Sequence, residues 1–207
     1  MLKFFSKALA VAGISFLVSI FVVTSTLAVE PVIKVTKPFT TKVIPVTGTI
    51  EDAMANRIVQ DIKLANKDGY DLIEMDITSY GGSVYAGLRI LGAMSTSKVP
   101  IKTVCEGYCM SMGAVILAHG NTRYATPYTT ILLHQVSGGM MGTFSELANQ
   151  LKEIERLTTL LTEIVSKDTG LDKEKVFEIC SYDHYMSTEE ALKLNIIDGV
   201  LGKDGTP

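Results

Sequence analysis

Three stretches of this chain set reactive or anion-binding groups where packing alone has no use for them. In Gly107-Tyr108-Cys109-Met110-Ser111-Met112-Gly113-Ala114 a strand ends, a serine follows, and a helix of small residues begins at once. A serine at such a junction can expose its Oγ, and the first-turn N–H groups after it have no intrahelical acceptor and can face a developing anion. The competing role for Ser111 is a plain N-cap. In Ser79-Tyr80-Gly81-Gly82-Ser83 the paired glycines allow backbone to approach a ligand closely, or simply make a turn. His134 closes the apolar run Ile131-Leu132-Leu133. It is either a hydrogen-bonded core histidine or the base that activates a nucleophile.

The elements that must position these groups follow from periodicity. Val43–Val46 reads as a short strand ending at Gly48, and Met54, Ile58, Ile62 and Ala65 mark one face of a helix closing near Gly69. Leu72–Ile77 is a second strand, and Val84, Leu88 and Leu91 mark the next helix. Val99–Val104 is a third strand, Ser111–Ala118 a short apolar helix, and Thr129–Leu133 a fourth strand. Phe144, Leu147, Leu151, Ile154, Leu157, Leu161 and Ile164 predict a long helix that protrudes or packs on a partner chain. Ser187-x-x-Glu190 has the form of a capping box, Asn195 suits a left-handed helix exit, and Ile196-Ile197 reads as a last strand. Strands alternating with helices imply parallel pairing, hence an α/β fold. Carboxyl ends of parallel strands line a crevice, and Ser111, Gly82 and His134 all sit just past predicted strand ends.

Composition limits the remaining choices. Of 207 residues, 47% are apolar and 20% charged, which suffices for one core and excludes a disordered chain. A net charge of -3 offers no electrostatic footprint for nucleic acid. Mean hydropathy is +0.28, raised by the first thirty residues. There Lys3 and Lys7 precede an apolar stretch, Ala8–Val23, followed by Thr24-Ser25-Thr26-Leu27-Ala28. That is the layout of an export signal cleaved after Ala28, with an uncleaved membrane anchor and a buried helix as alternatives. Residues 1–28 are therefore set apart as signal peptide or anchor, 29–42 as a linker or edge segment, and 43–207 as the folded domain. Cys105 and Cys109, four apart, would stand about 13 Å apart if extended, beyond the reach of a disulfide. They are expected to be core cysteines rather than a bridge, or metal ligands with His119.

Five motifs then appear in one order: Gly48-Thr-Ile-Glu-Asp-Ala-Met-Ala-Asn56, Ser79-x-Gly-Gly-Ser83, Ser111-Met-Gly-Ala114, His134-Gln135 with Gly138-Gly139, and Asp183-x-x-Met-Ser-x-Glu-Glu-Ala191. From about Val43 to Val200 the chain resembles the proteolytic subunit of the Clp protease, a serine peptidase. The resemblance implies a ClpP/crotonase-like fold of repeated β-α units with a mainly parallel sheet and a long protruding helix. It implies Ser111 as nucleophile, His134 as general base and Asp183 as the carboxylate orienting the imidazole. Gly82 and Met112 match the positions whose N–H groups form the oxyanion hole. No cofactor is implied. The substrate would be a peptide or unfolded protein, and the assembly a homo-oligomeric ring, a heptamer by resemblance.

Departures from the family pattern bear on partners. Tyr80 and Val136 stand where prolines are usual, and Ser181-Tyr182 where an acidic residue and an arginine help join two rings. The amino-terminal axial-loop region is not recognisable. Most of the family is cytoplasmic and fed by an ATP-driven unfoldase; an exported or periplasmic relative has no ATP, so that dependence does not carry over. Asp76 beside Glu74 is expected to face solvent, and His184 to be a spectator. Three alternatives remain: a signal-peptide-peptidase-like membrane serine protease with a Ser–Lys pair, a noncatalytic scaffold subunit, and an acyl-CoA enzyme of the crotonase fold.

Overall fold

The structure, a computed structural model, describes residues 37–202. The leader assigned to residues 1–28 lies outside the described residues, as does most of the linker. Thirteen elements follow in order: β1 Thr41–Ile50, α1 Asp52–Asp68, β2 Leu72–Gly82, α2 Val84–Ser95, β3 Ile101–Met110, α3 Met112–Ala118, β4 Thr122–Ala125, β5 Thr130–Leu133, α4 Phe144–Thr169, α5 Lys173–Cys180, β6 His184–Met186, α6 Thr188–Lys193 and β7 Gly199–Val200. The strands form one sheet of seven, ordered β1-β2-β3-β4-β7, with β5 added to β3 and β6 to β5. Every pairing is parallel except β5–β6. This is the expected α/β architecture.

Alternation dictates the layers. On β1 and β2 the residues Ile44, Val46, Ile73, Met75 and Ile77 point to one face and are fully buried. They share a single core with Ala55, Ile58 and Ile62 of α1, Ala86 and Ile90 of α2, and nearly all of α3. Each such isoleucine contributes about 1.5–3 kcal/mol by leaving water. The other face of β2 carries Glu74, Asp76 and Thr78, all only partly buried.

One local feature carries the site. Ile77 pairs with Cys105 while Ser79 pairs with Cys109, so β3 spends four residues where β2 spends two. Gly107 takes φ +77 within this bulge. Before the bulge, Lys102–Cys105 pairs with β4; after it, Tyr108–Met110 pairs with β5. The sheet forks there, and the second branch leads to Ser111. The fork also overturns the expectation for the cysteines: Cys105 and Cys109 form a disulfide with Cα atoms 6.0 Å apart. An extended strand could not close that distance, but the bulge does.

Other expectations need correction. The segments β4 and α5 carry no clean apolar period; β4 hides Arg123 because Asp198 takes its guanidinium and backbone N–H. Burial and Arg123 act oppositely on the Asp198 carboxyl, and its affinity for a proton ends below the ordinary value. Ile196 and Ile197 are buried in the turn before β7 rather than forming a strand. Ser187 does cap α6 through Glu190 N–H, but the Glu190 carboxylate turns instead to His184, 2.8 Å away. The reciprocal capping box sits at Thr143 and Glu146, opening α4.

Candidate active site

Ser111 is delivered by two constraints on its backbone. Its N–H donates to Leu132 O on β5 at 2.9 Å, and its carbonyl accepts from Ala114 and Val115 in the first turn of α3. Meeting both forces φ 52 and ψ −123, a conformation a non-glycine residue adopts only under strain. The hydroxyl makes no cap bond to α3, which removes the N-cap role and leaves Oγ available.

The paired glycines make room for this elbow. A Cβ on Gly81 would stand 2.7 Å from Ser111 Cβ and 3.1 Å from Met112 N. One on Gly82 would fall 2.3 Å from Ile50 O. Both have positive φ, +97 and +151, so no other residue fits here.

Ser111, Met112, Gly82 and His134 line one cleft of about 70 Å³, walled by Val84, Val115, Val136 and Leu161. Larger hollows exist, one of about 500 Å³ between α1 and α2 and one of about 610 Å³ beside Tyr128, but neither is lined by Ser111 or His134. Asp183 is exposed and lies one residue before β6. The antiparallel register Leu133↔His184, carried one step further, sets Asp183 opposite His134. Among the described residues, however, neither a Ser111–His134 nor a His134–Asp183 hydrogen bond is made. The fold thus gathers four of the five expected residues in the cleft and leaves the fifth at its edge.

Other side chains of the domain have partners of their own. Tyr85 of α2 donates to Glu153 of α4 at 2.8 Å, linking the long helix to the start of α2. Arg156 and Tyr85 together hold the Glu153 carboxyl down to about 2. Tyr80, standing where the family pattern has proline, stacks on Tyr108 of the bulge with centroids 4.3 Å apart. His184, expected to be a spectator, bridges Tyr182 OH and Glu190. Burial pushes the Cys180 thiol up to about 11, so it is inert. Asp76 is half-buried, not solvated, and desolvation with Glu74 and Glu106 lifts its carboxyl to about 6. No group of residues suited to a metal ion occurs among the described residues.

The strained serine, Gly82 and the histidine thus line one cleft. The Clp protease family model matches residues 30–204. The chain belongs to the Clp protease family. It is 40% identical over 163 residues to the ATP-dependent Clp protease proteolytic subunit of Deinococcus radiodurans, covering 77% of this chain and 80% of that one. It is 36% identical over 166 residues to the protein of the same description from Borrelia garinii subsp. bavariensis, covering 79% and 86%. As a member of the Clp protease family the chain is a serine-type peptidase, a hydrolase.

What the sequence did not single out is Ser79. It is fully buried, yet its Oγ donates to Gly48 O at 2.6 Å and accepts from Gly81 N–H at 3.0 Å. Its place two residues before the glycine pair was the available signal. A second omission is a rival set: Ser95 Oγ lies 2.8 Å from His119 Nε2, and His119 Nδ1 lies 2.5 Å from Asp168 Oδ2. By hydrogen bonding alone it looks more like a catalytic triad than the cleft does.

Proposed function

We propose that the chain is an endopeptidase in which Ser111 Oγ attacks the scissile carbonyl while His134 takes its proton. The bond to carbon forms as the carbonyl electrons move to oxygen, and the N–H groups of Gly82 and Met112 hold that oxyanion. Collapse expels the amine, which receives the proton from the His134 imidazolium, leaving an acyl-enzyme on Ser111. Water, deprotonated by His134, then releases the acid and restores Ser111. Asp183 orients the ring and stabilises its charged form. The observation that carries this reading is the strained φ 52 of Ser111, which frees its hydroxyl beside His134 in a cleft with an open first-turn N–H. The apolar wall of Val84, Val115 and Leu161 suits an uncharged side chain next to the cleaved bond.

Assembly into a homo-oligomeric ring is part of the proposal. Support comes from the start of α4, where Phe144 is 88% exposed and Met141 just before it 90%. Large apolar side chains left in water in this way ask for a partner surface. Ring closure is also the step proposed to draw His134 between Ser111 and Asp183. The compartment proposed is outside the cytoplasm, supported by the leader pattern of residues 1–28 and by the Cys105–Cys109 disulfide. There ATP is absent, so substrates are short or already unfolded chains and no ATP-driven partner is required.

The missing hydrogen bonds between Ser111, His134 and Asp183 favour one second reading, a noncatalytic scaffold subunit. A fluorophosphonate probe separates the two. Labelling of the wild-type protein that is lost in Ser111→Ala supports the peptidase; an unlabelled Ser111 in assembled protein leaves the scaffold. Fractionating the labelled cells tests the compartment at the same time.

A further inference from the structure

We propose that Ser79 is a positioning residue that sets the distance between the two halves of the oxyanion hole. The inference rests on the peptidase reading above and assigns a buried hydroxyl that the mechanism leaves unused. Gly82 contributes one half of the hole and Met112 the other, and they belong to elements with no covalent link nearby. Ser79 touches both. Its Oγ accepts from Gly81 N–H at 3.0 Å, which holds the glycine pair in its positive-φ path. The same Oγ donates to Gly48 O at 2.6 Å, tying that path to the bulge of β1 where pairing shifts between Thr47 and Thr49. On the opposite side, the carbonyl of Ser79 lies 3.2 Å, and its Cβ 3.3 Å, from where a Cβ on Gly113 would stand. The residue after Met112 therefore rests directly on Ser79.

The hydroxyl has no slack in this arrangement. One proton and one acceptor direction are used, Ser79 is fully buried, and no water can replace either bond without displacing packed atoms. Deleting the hydroxyl removes one hydrogen bond from the Gly81 N–H and one from the Gly48 carbonyl together. The glycine path can then relax toward a conformation that turns Gly82 away from the oxyanion. Transition-state stabilisation should fall while ground-state binding along the cleft wall remains, because that wall belongs to Val84, Val115 and Leu161.

Ser79→Ala in the full-length assembled protein tests this, beside Thr103→Val as a control. Thr103 is equally buried on the adjoining strand, and its hydroxyl donates to Leu117 O at 2.8 Å, away from the cleft. For Ser79→Ala, kcat on a short peptide is expected to fall about 10- to 100-fold with KM changed less than about twofold. The inhibition constant of a peptide boronic acid, whose tetrahedral adduct occupies the hole, should rise in parallel. Thr103→Val should lose comparable thermal stability and keep its kcat. The proposal is overturned if Ser79→Ala turns over like wild type, if only KM changes, or if Thr103→Val loses as much kcat. A wild-type protein that neither cleaves peptide nor takes a fluorophosphonate label overturns the peptidase reading itself, and this inference with it.

Discussion

Two Ser–His–Asp sets stand near opposite ends of α3, and they differ in what surrounds them. Ser95, His119 and Asp168 are linked at 2.8 and 2.5 Å, while Ser111, His134 and Asp183 make no such bonds. The linked set nevertheless lacks what catalysis needs. Ser95 is the last residue of α2, His119 caps the carboxyl end of α3, and Asp168 lies in the last turn of α4. Helix carboxyl ends present carbonyl oxygens, which repel an oxyanion. Ser95 Oγ also lies 2.8 Å from Leu91 O, an acceptor that competes with the imidazole nitrogen for its one proton. Ser111 stands instead at a helix start beside the N–H of Met112, held in a strained backbone. A hydrogen-bonded row of three side chains ties helices together; a site requires the anion-binding backbone as well.

The sharpest way to break this contrast is at the two serines. Ser111→Ala should lower peptide cleavage by about 10⁴-fold or more, whereas Ser95→Ala should leave kcat/KM within about twofold. Steady-state kinetics on both variants decides it, and equal losses would erase the distinction. The carboxylates come next. Asp183→Asn is expected to reduce kcat about 10²- to 10⁴-fold with an unchanged melting temperature. Asp168→Asn should reverse that pattern, keeping activity and losing about 1–3 kcal/mol of stability in a urea titration.

A smaller effect concerns the fork that sends Ser111 toward His134. Replacing Cys105 and Cys109 together by serine opens a short loop, and should cost about 2 kcal/mol of stability. Denaturant midpoints with and without a thiol reductant would measure it, the wild type falling to the level of the variant when reduced. Least of all, Asp76 has neighbouring carboxylates where Asp168 has an imidazole. Its folded-state pKa, raised from 3.8 to about 6, means that the native protein keeps a proton the unfolded chain has lost between those values. Stability should therefore decline as pH rises through that window and carry the full penalty above it. Asp76→Asn should stabilise by roughly 1 kcal/mol at pH 7, after allowing for solvent screening, with no gain below pH 4. Melting curves at the two pH values check the sign.

Much of the scaffold was legible because its signals are local. The apolar spacing of α1 and the glycine at φ +70 that ends it, the long period of α4, and the Asn195 exit at φ 53 each state their own geometry. The candidate site was legible for the same reason, since Ser111, Gly82 and His134 each follow a strand end. Segments that depend on distant partners were not. Nothing local marks Arg123 as buried; Asp198, 75 positions away, takes it into the interior. Cys105 and Cys109 read as too distant until a bulge folds the strand between them.

By itself the sequence determined the alternation of strands and helices, the candidate residues at the strand ends, and the family to which the chain belongs. Those properties reside in side-chain chemistry and in spacing of 2 or 3.6 residues along the backbone. Tertiary structure decided which serine is strained and which is merely bonded, how a forked sheet brings Ser111 and His134 to one cleft, and where Ser79 is buried. These depend on contacts between residues tens of positions apart, and no local pattern encodes the distance across which two strands meet.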